Sequence, residues 1–188
     1  ARNFLWLVNP DNDSITRVNQ NSEILEVSLG EGSKPRNIAV DNSGIVWVTC
    51  EGSDRIELVN PDGSRHSSIN LDYGSAPFGI AITPDGSQAL VTLYGKGELK
   101  RYSISTRNET GSLALGATAR AIAITANSNR ALVTRFISPE NNGEVWDVNL
   151  GTNLSLSRTI TIQEDVTTDD TSASGRGVPN YLSAISID

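Results

Sequence analysis

Ile-Ala-Val at 38–40 returns as Ile-Ala-Ile at 80–82 and again at 122–124, each time after 42 residues. A fixed period of this length constrains the fold more than any single residue does. Tandem units of this size bury their faces only against one another. Each unit divides into four short segments. The first holds an alanine at its centre: Ala39, Ala81, Ala123 and, at the end of the chain, Ala184. The second is nearly all apolar and carries Val-Thr: Val48-Thr49, Val91-Thr92, Val133-Thr134. The third alternates, as in Arg55-Ile56-Glu57-Leu58-Val59, and the fourth is polar. Pro84-Asp85-Gly86 marks a turn between the first two, since Pro presets φ and Gly accepts the left-handed conformation.

These segments read as strands. A continuous apolar run suits a strand covered on both faces, strict alternation a half-exposed one, and a polar run an outer edge. Small side chains fit an innermost strand crowded around an axis. The sequence therefore predicts an all-β chain, a single β-propeller domain over 1–188 built of four-stranded antiparallel blades. Strands two to four of one blade are expected within 4–29, full blades at 36–71, 78–115 and 120–162, and a last inner strand at 182–187. About four blades result. Two closures follow: a four-bladed ring completed by pairing 182–187 with the first strand, or a piece of a ring of six to eight blades. The chain stops at Ser186-Ile187-Asp188, where another turn is due, which favours the piece.

Composition bounds the function. The net charge is −7, which argues against a nucleic-acid partner or an anionic membrane surface. No run of 18 apolar residues is present, so no membrane span is expected. Cys50 is the only cysteine, sits in the apolar run 45–50, and reads as a small core residue. The chain opens at Ala1 and has no Met, as a processed or trimmed chain would. Its wealth of Asn, Ser and Thr suits an extracytoplasmic protein: periplasmic, cell-surface or secreted.

Ala-Pro-Phe-Gly-Ile-Ala-Ile-Thr-Pro-Asp-Gly at 76–86, with Ala-Leu-Val-Thr at 89–92, resembles the YVTN-type repeats of bacterial surface-layer-like propellers. Residues 35–63 are also similar to NHL and virginiamycin-B-lyase-like repeats, through Ile-Ala-Val and Val-Trp-Val-Thr. Gly-Val-Pro-Asn-Tyr-Leu at 177–182 resembles a segment of propellers that accompany c-type cytochrome or peroxidase modules, although no Cys-x-x-Cys-His haem site is present. The resemblance implies a propeller fold and leaves function open, because these repeats are structural. Lyase-like propellers carry a catalytic histidine with acidic residues and a divalent metal. No position here receives that histidine: His66, the only one, lies on a polar outer strand.

The period breaks once. From Ile122 to the matching Ser183 is 61 residues, with insertions at 138–142 and 163–180. Both connections leave a propeller blade on the same side, and long loops on a rigid scaffold often bind. Arg135, Glu140, Asn141, Asn142 and Arg176 are the candidate ligand-binding residues. Glu164, Asp165, Asp169 and Asp170 offer hard oxygen donors suited to Ca²⁺, against the alternative of a solvated polar loop; no other cofactor is expected. Asp54, Asp147 and Glu144 are expected to cap turns or face solvent, Trp6 and Trp47 to fill the core, and Trp146 to be half exposed. The favoured function is a non-enzymatic scaffold binding a protein, glycan or other ligand through the inserted face. The alternatives are the propeller portion of a periplasmic enzyme (lactonase- or lyase-like, or a cytochrome-associated redox subunit) and a surface-layer element that self-associates through open blade edges.

Overall fold

The computed structural model describes residues 4–139, 142–164, 179 and 181–187. The first sheet holds β1 (Phe4–Asn9), β2 (Ser14–Asn19) and β3 (Ile24–Ser28). The second holds β4 (Pro35–Val40), β5 (Val46–Cys50), β6 (Arg55–Val59) and β7 (Arg65–Asn70). The third holds β8 (Pro77–Ile82), β9 (Gln88–Leu93), β10 (Glu98–Ser103) and β11 (Glu109–Ala114). The fourth holds β12 (Ala119–Ile124), β13 (Arg130–Arg135), β14 (Asn142–Asn149) and β15 (Ser155–Gln163). Every pairing is antiparallel between sequence neighbours, so each sheet is a simple meander. The chain is an all-β propeller of antiparallel blades; among the described residues the first has three strands and the others four.

Apolar faces of adjacent sheets close on one another. Ile15 and Leu29 of the first blade meet Val46, Val48 and Cys50 of the second. Trp47, Ile56 and Leu58 meet Ala89, Val91 and Tyr102 of the third. Leu90 and Leu99 meet Ala131, Val133 and Trp146 of the fourth. Trp146 is only 3% exposed, which corrects the expectation of half exposure: its ring lies against the third blade and packs over Gly116. Asp147 is likewise buried rather than solvent-facing, because Arg130 and Arg158 both pair with it. Asp54 caps a turn, accepting hydrogen bonds from the Gly74 and Ala76 amides. Cys50 is fully buried.

The inner strands β4, β8 and β12 lie side by side. Their approach is close enough that a Cβ on Gly79 would stand 2.2 Å from the Arg120 carbonyl oxygen. The three alanines at their centres are half-buried around the axis. Three apolar clusters join four blades, so among the described residues the blades form an open arc. The expected closing strand does not form. Residues 182–187 carry no strand, because no neighbouring ladder receives their backbone groups, and the far face of β1 leaves Leu5 58% and Leu7 44% exposed.

Candidate functional site: an arginine–aromatic mouth at one end of the axis

Each complete blade starts its inner strand after a residue with positive φ: Lys34, Ala76 and Thr118. The carbonyl of that residue accepts a hydrogen bond from the residue that leaves the second strand: Glu51, Tyr94 and Phe136 in turn. This link is the same in all three blades. It fixes two rings of side chains at one mouth of the axis. The second residue of each inner strand forms one ring (Arg36, Phe78, Arg120), and Glu51, Tyr94 and Phe136 form the other.

The Arg120 guanidinium lies between two rings, 4.2 Å from the Phe78 centroid and 3.7 Å from that of Phe136. Cation–π attraction strengthens as water is removed, so this packing is worth on the order of 1–2 kcal/mol. Arg36 pairs with Glu51 and also approaches Phe78, at 5.9 Å. Tyr94 stands edge-on to Phe136 at 6.3 Å, and Phe136 meets Tyr181 at 5.3 Å. Together Arg36, Glu51, Phe78, Tyr94 and Arg120 line a recess of about 180 Å³. Burial lowers the Arg120 pKa from its ordinary value; Tyr94 opposes this, Arg36 adds to it and Glu51 opposes it. The group stays cationic at neutral pH all the same.

The mouth lies at the end of the blades where β13 ends at Arg135, β14 begins at Asn142 and β15 ends at Gln163. Of the residues expected to bind there, Arg135 ends β13 and pairs with Glu144 at 2.8 Å, with its guanidinium 6.0 Å from the Trp146 ring. It braces the blade instead of facing the recess. Asn142 opens β14, and its side chain donates to the Gly143 carbonyl. Glu164 follows β15, half-buried. Glu140, Asn141, Asp165, Asp169, Asp170 and Arg176 lie outside the described residues. Among the described residues no three His, Cys, Asp or Glu side chains gather into a metal-binding group. His66 is exposed on β7, with its ring nitrogen near the Ser67 hydroxyl.

None of the recess residues lies in the insertions, so the break in the period does not mark them. Their signal was the repeat itself. Positions 36, 78 and 120 are 42 apart, and positions 51, 94 and 136 follow the second strand of each blade. Large charged and aromatic side chains at the inner-strand starts stand out against the small residues at the strand centres.

The sequence matches no protein-family model and no curated protein. Its fold is similar to many solved structures. Hydrazine synthase from Kuenenia stuttgartiensis superposes with a TM-score of 0.76 at 20% identity, over 86% of this chain and 47% of the other. Virginiamycin B lyase from Staphylococcus aureus gives 0.69 at 19%, over 81% and 51%. A candidate 6-phosphogluconolactonase from Bacteroides uniformis gives 0.70 at 19%, over 86% and 52%. The chain thus spans about half the length of the propellers it resembles, and at these identities the likeness carries the fold alone.

Proposed function

We propose that this chain is an extracytoplasmic propeller scaffold that binds a ligand or partner through the face bearing the mouth and the two insertions. One observation carries the reading: the Arg120 guanidinium, stacked between Phe78 and Phe136, beside a recess that also presents Arg36 and Tyr94. Stacked guanidinium and ring faces are binding groups; they offer directed donors and apolar area at fixed positions. The YVTN-type resemblance fits a scaffold of this kind. Glu164, Asp165, Asp169 and Asp170 supply oxygen donors of the kind a calcium ion takes.

A second reading makes the chain the propeller portion of an enzyme, supported by the lyase and the hydrazine synthase among the similar structures. Self-association through the first blade is a third, supported by the open edge of β1, which among the described residues pairs only with β2, and by the exposed Leu5 and Leu7 on its far face. Sedimentation velocity tests it, with a concentration-dependent dimer as its signature.

Protein-observed NMR with a mixed library of neutral, acidic and basic fragments tests the main reading. Binders should shift the amides of Arg36, Phe78, Tyr94 and Arg120. Binders clustered instead at the opposite turns, around Ser43, Ser87 and Arg107, would overturn it. Turnover of a lactone by the protein, lost on Arg120→Ala, would move the assignment to the enzyme.

A further inference from the structure

We infer that the recess is a site for a single carboxylate carried on an apolar or aromatic body. The inference rests on the assignment of this face as the binding face and deepens it by naming the chemistry.

Charge sets the valence. The lining holds two guanidinium groups, Arg36 and Arg120, and one carboxylate, Glu51, which leaves one positive charge. Glu51 is paired with Arg36, so among the described residues the cation without an ion-pair partner in the lining is Arg120. Its buried Nε–H meets no acceptor among the described residues. A desolvated donor left without an acceptor is costly, and a ligand oxygen relieves that cost.

Shape sets the class. Phe78 and Phe136 both lie within cation–π distance of the Arg120 guanidinium, and rings packed on its faces direct its polar contacts to its edge. That edge is a planar fork of N–H donors, matched in width to the two oxygens of a carboxylate. A phosphate dianion asks for donors from several directions and for more positive charge than one net unit. Tyr94 and Phe78 supply ring surface beside the fork, where the body of the ligand would lie.

Two other clefts among the described residues lack this combination. The recess of about 430 Å³ at the opposite face is lined by three serines with Gly86 and Ile104, and its Arg107 is already engaged by Asp41 and the Trp47 ring. The cleft of about 350 Å³ near Lys34 contains Asp11 and Asp13, whose charges offset its cations.

The test is a titration of the protein at low ionic strength with benzoate, with benzamide as the neutral isostere, and with inorganic phosphate. Binding is followed by calorimetry and by the Arg120 Nε–Hε resonance. Benzoate should bind at least about tenfold more tightly than either of the others and shift that resonance. Arg120→Lys keeps the charge and loses the fork, so it should weaken benzoate by about tenfold, as should Arg120→Gln. Arg158→Gln, on the outer strand, should bind as the parent does. A peptide ending in phenylalanine, with its terminus free or amidated, separates a polypeptide source of the carboxylate from a small acid. Equal binding of benzoate and benzamide, preference for phosphate, or full affinity in a folded Arg120→Lys protein would overturn the inference. If fragments still gather at the mouth in that case, the binding face stands and only its carboxylate chemistry fails.

Discussion

The Thr92 hydroxyl donates a 2.6 Å hydrogen bond to the Arg120 carbonyl and accepts one of 2.8 Å from the Gly79 amide. It joins the second strand of one blade to the inner strand of the next, at the residue whose side chain builds the recess. Thr49 does the same one blade earlier, accepting from the Asn37 amide and donating to the Phe78 carbonyl at 2.6 Å. The recurring Val-Thr is therefore an interblade coupler. Replacing Thr92 by Val conserves shape and leaves a buried amide and carbonyl short of a partner, at a cost of about 1–3 kcal/mol. Thr92→Ser keeps the hydroxyl and should cost only about 1 kcal/mol, the value of one buried methyl. Urea unfolding of both variants checks the difference.

Arg101 couples blades from the side. Its guanidinium, 5% exposed, donates to the Gly151 carbonyl at 2.7 Å and the Thr152 carbonyl at 2.8 Å across the blade boundary, and to the Thr110 carbonyl within its own blade. Arg17 reaches the Pro61 carbonyl from the corresponding position of the first blade. Arg101→Ala removes these charge-assisted bonds across the boundary together with the buried side chain that makes them, and should destabilise by about 3 kcal/mol. Arg101→Lys should recover only part of this, since one ammonium cannot span the same acceptors. Thermal denaturation reads both.

Cys50 should be chemically silent in the folded protein. Burial, and secondarily the Glu57 charge, pushes its thiol pKa up to about 12. With neither thiolate nor access, its reaction with a disulfide reagent at pH 8 should be at least about a hundredfold slower than in denaturant. Equal rates would show that the second blade opens readily.

Acid should loosen the turns. Amides of Lys34 and Gly32 hold the Asp13 carboxyl below its ordinary pKa, and the Thr83 hydroxyl with the Ser87 amide does the same for Asp85. A depressed folded-state value means the contribution is complete above about pH 4 and is lost as pH falls below it. Asp13→Asn and Asp85→Asn should therefore lower the unfolding midpoint at pH 7 and flatten its decline between about pH 5 and pH 3. A decline as steep as the parent's would assign the acid sensitivity elsewhere.

The architecture was legible because periodicity survives in the strands: the alanines, the Val-Thr pairs and the alternating third strand each recur at fixed steps. What was not legible depended on neighbours beyond the repeat. Residues 182–187 match an inner strand in pattern, yet a strand needs a ladder beside it, and none is present among the described residues. Trp146 looked off the core pattern because its burial comes from the preceding blade. Asp147 looked solvent-facing because its two arginines are 17 and 11 residues away. The recess was written in the sequence as equivalent positions, but only folding shows that Arg36, Phe78 and Arg120 share one mouth.

The most direct measurement is a crystal structure of this chain soaked with a small set of acids and their amides. The account predicts density for a carboxylate at the mouth, its oxygens about 3 Å from the Arg120 guanidinium, with Phe78 and Phe136 packed on that group. A recess that stays empty while acids settle beside Ser43 and Arg107, or an Arg120 already neutralised by a protein carboxylate, would contradict it.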